Sequence, residues 1–313
     1  MIRDDVRPLV VARCRTASDV VAALGQARGR GLPVAVRSGG HDFAGRSTTT
    51  GLLVDLGDLT GVRLADGLVR VGAGTRLAEL YGSLEPLGLT LPAGSGPTVG
   101  IGGLTLGGGL GFLGRTWGLT CDRLVAAEVV LADGSVVSCD EREHADLFWA
   151  LRGGGAAGVG VVTELLFAPV PAPRRIPVSL GWDFRVAAQV VDAWQRSSPD
   201  APDGLAVSLL LSVPAEPYGE PRVTLVGEPS GLSEAETADL VGDLVTRVGV
   251  GPVAPVVSHD THPHSRSGFF RQDLPRAVLG DLVEHLAADR RPGGARELDL
   301  TPWGGAYNRI PAG

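Results

Sequence analysis

Arg37-Ser38-Gly39-Gly40-His41 follows the apolar run Pro33-Val34-Ala35-Val36, and a second stretch, Pro97-Thr98-Val99-Gly100-Ile101-Gly102-Gly103-Leu104-Thr105-Leu106-Gly107-Gly108-Gly109-Leu110-Gly111, lies downstream. Adjacent glycines carry no Cβ atoms, so consecutive backbone N–H groups in the first stretch can converge on an anion, with an imidazole at the rim. An ordinary strand-to-loop turn with a solvated histidine would read the same way locally. The second stretch decides between them. It is too apolar for a flexible linker and too glycine-rich for a packed helix, so its backbone is expected to pass close to something flat and large. The pattern G-x-G-x-x-G occurs at Gly109, Gly111 and Gly114 and again at Gly153, Gly155 and Gly158. Neither copy joins the first strand and helix of a βαβ unit, which argues against a Rossmann dinucleotide site.

The chain has 313 residues, 44% of them hydrophobic and 20% charged, which is enough for two domains with sizeable cores. All 28 basic residues are arginine, so Schiff-base chemistry and a Walker A phosphate loop are excluded. A net charge of −7 argues against nucleic acid and anionic membranes as partners. No apolar stretch reaches the roughly 18 residues of a spanning helix, and the first twenty residues, which carry Asp4, Asp5 and Asp19 and no long apolar core, do not read as a signal peptide. Cys14, Cys121 and Cys139 are too scattered for a disulfide framework. A reducing, cytoplasmic compartment is expected, with secretion open if a native leader precedes residue 1.

Flanking segments give the architecture. Leu9–Ala12 reads as a strand, and Thr16-Ala17-Ser18-Asp19 as a capping box opening an amphipathic helix through Val20, Val21, Leu24 and Ala27 to Gly29 and Gly31. Strands follow at 33–37 and 51–56, so the Ser-Gly-Gly-His turn sits at a strand's carboxyl end, where open α/β sheets place ligands. Leu-Ala-Asp-Gly occurs at 64–67 and 131–134 between β-rich runs, which predicts two hairpins and an α+β domain. Helices are expected near 75–84 and 142–152, and a buried strand at 160–167. Pro169, Pro171, Pro173 and Pro177 then mark a boundary, giving domains 1–172 and 173–313. The second is expected to run strand (178–184), helix (186–196), strands (205–213 and 222–226), helix (234–247), helix (275–289) and strand (297–301).

In order along the chain stand Val36–His41, Pro97–Gly103 with Gly107–Gly109, Trp117-Gly118-Leu119-Thr120-Cys121-Asp122, and Asp146-Leu147-Phe148-Trp149-Ala150-Leu151-Arg152-Gly153-Gly154-Gly155. This set resembles the berberine-bridge-enzyme-like FAD-linked oxidases. The resemblance implies an α+β fold: a vanillyl-alcohol-oxidase or PCMH-type FAD-binding domain of two α+β subdomains, then a substrate domain with an antiparallel sheet under helices. It implies FAD as cofactor, with Arg37, Ser38, Gly39 and Gly40 around the pyrophosphate and a single covalent link from His41 to the flavin 8α-methyl. It places Thr98, Val99, Gly102 and Gly103 along the ring system, and Gly160, Val161 and Val162 near the adenine. Val99 would lie beside the reactive face and admit O2. The implied chemistry is hydride removal from a C–OH or C–N carbon of a small molecule, with O2 giving H2O2.

The same comparison orders the remaining residues. Doubly tethered members carry a thiol where Gly96 stands, so Cys121 reads as a buried core thiol. His259, Asp260, His262 and His264 have irregular gaps and a proline, and read as a solvated loop, not a metal site. No catalytic base is assigned; Tyr307 is the nearest candidate and reads first as a packing aromatic. Members of the family begin earlier and continue past a segment like 301–309. The chain is therefore expected to be short at both ends, to leave Leu298, Leu300 and Trp303 uncovered, and to associate into oligomers. The alternative function is a catalytically incomplete fragment that binds FAD without turnover.

Overall fold

A computed structural model describes residues 6–155, 158–215, 219–255, 266–290 and 292–310. The chain divides into two compact units, Met1–Ala172 with Ile310–Gly313, and Pro173–Arg309. His259, Asp260, His262 and His264 lie outside the described residues.

The first unit begins with β1 (Val10–Arg13), α1 (Ala17–Gly29), β2 (Val34–Arg37) and β3 (Leu52–Asp55). The capping box forms: Asp19 N–H donates to Thr16 Oγ1 at 3.2 Å and Thr16 N–H to Asp19 Oδ2 at 3.0 Å. The helix buries Val20, Ala23 and Ala27, and the three strands form a parallel sheet in the order β1-β3-β2. Next come β4 (Val62–Ala65), β5 (Leu68–Gly72), α2 (Leu77–Leu84), β6 (Leu89–Thr90), α3 (Ile101–Leu106), α4 (Gly114–Trp117), β7 (Leu124–Val130), β8 (Val136–Asp140), α5 (Ala145–Leu151), β9 (Val161–Phe167) and β10 (Val170–Pro171).

Both Asp-Gly hairpins are present. Asp66 and Gly67 have φ of 53° and 76°, the paired left-handed residues of a two-residue hairpin turn, and Gly134 takes φ 91° at the second. They belong to one antiparallel sheet, β4-β5-β9-β7-β8. β6 and β10 pair as a two-stranded sheet, and a single core joins the three-stranded and five-stranded sheets, with Leu52, Val54, Val71, Leu80, Ile101, Val129 and Phe167 all fully enclosed.

The second unit is an antiparallel sheet, β11 (Val178–Asp183), β12 (Val207–Val213), β13 (Arg222–Gly227) and β14 (Arg296–Leu300), in the order β11-β13-β12-β14. Its helices are α6 (Ala187–Gln195), α7 (Glu234–Val248), α8 (Arg276–Ala287) and the short α9 (Ala306–Arg309). Alternate strand residues Trp182, Leu209, Leu211, Val223 and Leu225 share a core with Val190 and Trp194 of α6, Leu244 of α7 and Leu279 of α8. The two buried indoles are satisfied, Trp182 Nε1 donating to Val250 O at 3.1 Å and Trp194 Nε1 to Val207 O at 3.0 Å.

Three expectations need correction. The glycine-rich second stretch does contain a packed helix, α3, because Ile101 and Thr105 are buried and tertiary packing overrides glycine's poor propensity. Leu298 and Leu300 are half-buried against the second core, not uncovered. His144 precedes α5 as its N-cap at φ 50° instead of lying inside a helix.

Candidate functional site

The glycine turn at the end of β2 is held on all sides. Before it, Arg37 Nη2 bonds Asp55 Oδ2 at 2.7 Å and Leu56 N–H donates to Arg37 O at 2.8 Å. Burial works against the Asp55 charge, but hydrogen bonds from the Arg37 side chain and Gly57 N–H outweigh it and hold this carboxyl below the ordinary range. Ser38 Oγ donates to Ala73 O at 2.7 Å. The same carbonyl accepts Gly102 N–H at 3.2 Å, and Ala73 N–H donates to Thr163 O at 3.0 Å. Ala73 thereby ties the turn to α3 and to β9, one residue beyond Val162.

The two glycine-rich stretches meet backbone to backbone. A Cβ on Gly39 would collide with Gly100 N and lie 2.8 Å from Arg76 Nη1, and one on Gly100 would collide with Ser38 Oγ. Gly40 adopts φ 77°, a conformation that glycine takes without strain. His41 then stands at the exposed rim with Nε2 2.9 Å from Thr98 Oγ1. Partial desolvation first, and nearby positive charge including Arg76, lower its pKa and so favour the neutral ring. The segment carrying Thr98 is pinned to the start of α2: Arg76 Nη1 donates to Thr98 O, Leu77 N–H to Val99 O and Ala78 N–H to Pro97 O, each at 3.0 Å.

The other motifs join this assembly. Gly102 packs against Ala73, whereas a Cβ on Gly103, one residue on and exposed, would meet nothing within 4 Å. Thr120 N–H donates to Gly109 O at 3.0 Å and Cys121 N–H to Gly108 O at 2.9 Å, seating the triple glycine on the Trp117–Asp122 segment. A Cβ on Gly155 would lie 2.6 Å from Leu106 Cβ at the end of α3. Gly160, Val161 and Val162 enter β9, where both valines are buried and pair with Val130 and Val129 of β7. Val99 is half-buried against the first core. Cys121 is enclosed, and burial, then the neighbouring Asp122, pushes its thiol up to about 11.

Sequence reasoning missed Gly100, Arg76 and Ala73. Gly100 was visible inside the quoted motif; the other two act through long-range contacts that leave no local pattern. It also passed over Ser47 and Thr48, whose buried hydroxyls have no hydrogen-bond partner in the protein. Elsewhere in the first unit, a cleft of about 220 Å³ is lined by Arg15, Arg70, Glu128 and Glu164 and shares no residue with the turn. Its Arg70 pairs with Glu164, and Thr163 Oγ1 donates to Glu128 at 2.6 Å. Among the described residues, no group of three or more His, Cys, Asp or Glu side chains is placed to hold a metal ion, and no helix is long and apolar enough to cross a membrane.

In the second unit Tyr307 stacks on Trp303, with ring centroids 4.4 Å apart and planes 13° apart, and Phe269 meets Trp303 edge-on at 5.0 Å.

These features fit a flavin nucleotide: a glycine-lined backbone cradle that a Cβ would fill, and an imidazole at its rim. Residues 8–140 match the family model described as FAD binding domain. The relatives that the chain matches include berberine-bridge-enzyme-like proteins and FAD-linked oxidoreductases. It is 37% identical over 211 residues to the uncharacterized FAD-linked oxidoreductase YgaK of Bacillus subtilis, a match covering 64% of this chain and 46% of that protein. Over 347 aligned residues it is 30% identical to berberine bridge enzyme-like 12 of Arabidopsis thaliana, covering 96% of this chain and 63% of that one. The crystal structure of 6-hydroxy-D-nicotine oxidase from Arthrobacter nicotinovorans superposes with a TM-score of 0.72 at 30% identity, over 82% of this chain and 56% of that chain. The chain thus spans about half the length of proteins such as YgaK.

Proposed function

We propose that this chain is an FAD-dependent oxidase in which the cofactor is attached once, through His41. The observation that carries the reading is the contact of Gly39 with Gly100, which presses the two glycine-rich stretches together and leaves His41 at their rim, hydrogen-bonded to Thr98. When bound, FAD supplies the redox chemistry: hydride from a C–OH or C–N carbon of a small molecule is accepted at N5, and O2 takes the electrons to give H2O2.

The chain's own residues position that chemistry. Ser38, Gly39 and Gly40 offer backbone N–H groups to the pyrophosphate, whose charge Arg37 cannot fully serve because Asp55 engages it. Thr98, Val99, Gly102 and Gly103 line the ring system, Gly103 by leaving open the space a side chain would occupy. Val99 keeps a small branched side chain beside the reactive face and so admits O2. Gly160, Val161 and Val162 back the adenine end. Relatives named as oxidases, such as the nicotine oxidase above, support this reading.

Anaerobic titration of the purified, yellow chain with sugars, alcohols and amines tests the proposal. A substrate of this class bleaches the flavin, and admitting air restores the colour with release of H2O2. A yellow protein that none of them bleaches, with reduced flavin that air does not reoxidise, would support instead an FAD-binding chain without turnover.

A further inference from the structure

Four charged side chains line the cleft of about 220 Å³ in the first unit, each from a different strand. In the sheet order β4-β5-β9-β7 they are Arg63, Arg70, Glu164 and Glu128, so the row reads plus, plus, minus, minus. The strand register sets Arg63 directly opposite Arg70, and Glu128 directly opposite Glu164. Like charges placed in this way share a face and repel. The inner two neutralise each other, Arg70 pairing diagonally with Glu164. The outer two do not: among the described residues neither Arg63 nor Glu128 has an ion-pair partner, and the Glu128 carboxylate accepts the Thr163 hydroxyl at 2.6 Å. Arg15, on the wall, is already shared with Asp58 at 3.6 Å. Gly61 and Gly72 bring no side chains into the cleft, and a Cβ on Gly61 would meet nothing within 4 Å, so the space between the two outer charges is open.

We propose that this cleft binds a small zwitterion whose ammonium and carboxylate are held apart by a short chain, as in a tripeptide, with the carboxylate on Arg63 and the ammonium on Glu128. Neighbouring strands are about 4.8 Å apart, so the two residues leave the backbone about 14 Å from one another and lean inward along long side chains. Three extended residues span at most about 10 Å, which fits between the two heads. A free α-amino acid carries both charges on one carbon and cannot reach both ends. Arg63 offers a planar fork of donors to a carboxylate, and the Thr163 hydroxyl holds Glu128 in place while leaving lone pairs for an ammonium. The ligand supplies the two opposite charges that the row lacks. A second copy of the chain would present the same concave face, and two concave faces do not mate. The cleft shares no residue with the glycine turn, so this inference is independent of the reading of His41.

The test titrates the full chain calorimetrically at low ionic strength, where partly exposed charges are least screened, with three probes. These are triglycine, N-acetyl-triglycine, which lacks the ammonium, and triglycine amide, which lacks the carboxylate. Triglycine should bind saturably, and blocking either end should weaken binding by roughly fivefold to tenfold, the effect of one charge-assisted contact in a partly exposed site. Two variants then assign the ends. Arg63→Gln should abolish the preference for triglycine over its amide and keep the preference over the acetylated probe. Glu128→Gln, which keeps an acceptor for Thr163, should do the reverse. A lost fold would remove both preferences together, so the crossed pattern reports contact and not stability. Absence of saturable triglycine binding, equal affinity for all three probes, or loss of the same preference in both variants would overturn the proposal.

Discussion

Gly103→Ala separates packing from cofactor contact at a single atom. Gly103 is the third residue of α3, its backbone is not left-handed, and an added Cβ would meet nothing within 4 Å. On the protein alone the change replaces glycine by the best helix former, worth about 0.5 to 1 kcal/mol. A gain of that size raises Tm by roughly 1–4 °C in a chain of this kind. If FAD runs along this residue, the methyl occupies the space the ring system or pyrophosphate needs, and overpacking there costs about 1–3 kcal/mol. Affinity should then fall by roughly fivefold to a hundredfold or more. The assay is best done in a His41→Ala background, where FAD binds reversibly: thermal unfolding of the flavin-free chain gives the first number, and flavin fluorescence titration the second. Gly102→Ala is the control, because its Cβ would lie 2.6 Å from Ala73 O and should destabilise the flavin-free chain. A stabilised Gly103→Ala chain with unchanged FAD affinity would refute the placement of the cofactor along Gly103.

Other substitutions probe the remaining supports. Asp55→Asn removes the charge opposite Arg37 and leaves one oxygen for the two donors, Arg37 Nη2 and Gly57 N–H, and should cost about 1–3 kcal/mol in denaturant unfolding, since both charged side chains are largely buried. Because the folded pKa of Asp55 is lowered, its stabilising contribution is complete above the unfolded value near 4 and is lost as pH falls through the folded value. The gap between parent and Asp55→Asn should therefore close on acidification, and a gap that widens would contradict the assignment. Val99→Leu adds bulk at a tight position and should slow reoxidation of reduced flavin by O2 in stopped-flow traces; an unchanged rate would remove Val99 from the oxygen path. Cys121→Ala should leave flavin attachment intact, and the native thiol should resist iodoacetamide, because the enclosed group is not a thiolate at neutral pH.

The sequence made local features legible and left long-range ones dark. The Thr16–Asp19 box and the Asp66-Gly67 turn were readable because each is complete within a few residues and its chemistry has one geometric solution. The strands expected at 205–213 and 222–226 are likewise present as β12 and β13. The helix at 101–106 was not readable: its glycines argue against helix locally, and only Ala73 and the surrounding core, far away in sequence, make a glycine there an advantage. In the site, the four ordered motifs were visible. The roles of Ala73 and Arg76 were not, since each depends on contacts that span tens of residues. Leu298 and Leu300 were misjudged for the related reason that α8 packs on that end of the sheet.

The central claim is that His41 carries FAD, and intact-mass measurement under denaturing conditions tests it most directly. The parent chain should be heavier than its polypeptide by one flavin adenine dinucleotide, and His41→Ala should show the bare polypeptide mass with the yellow colour released. A parent chain at the bare mass, or an adduct that survives in His41→Ala, would contradict the account.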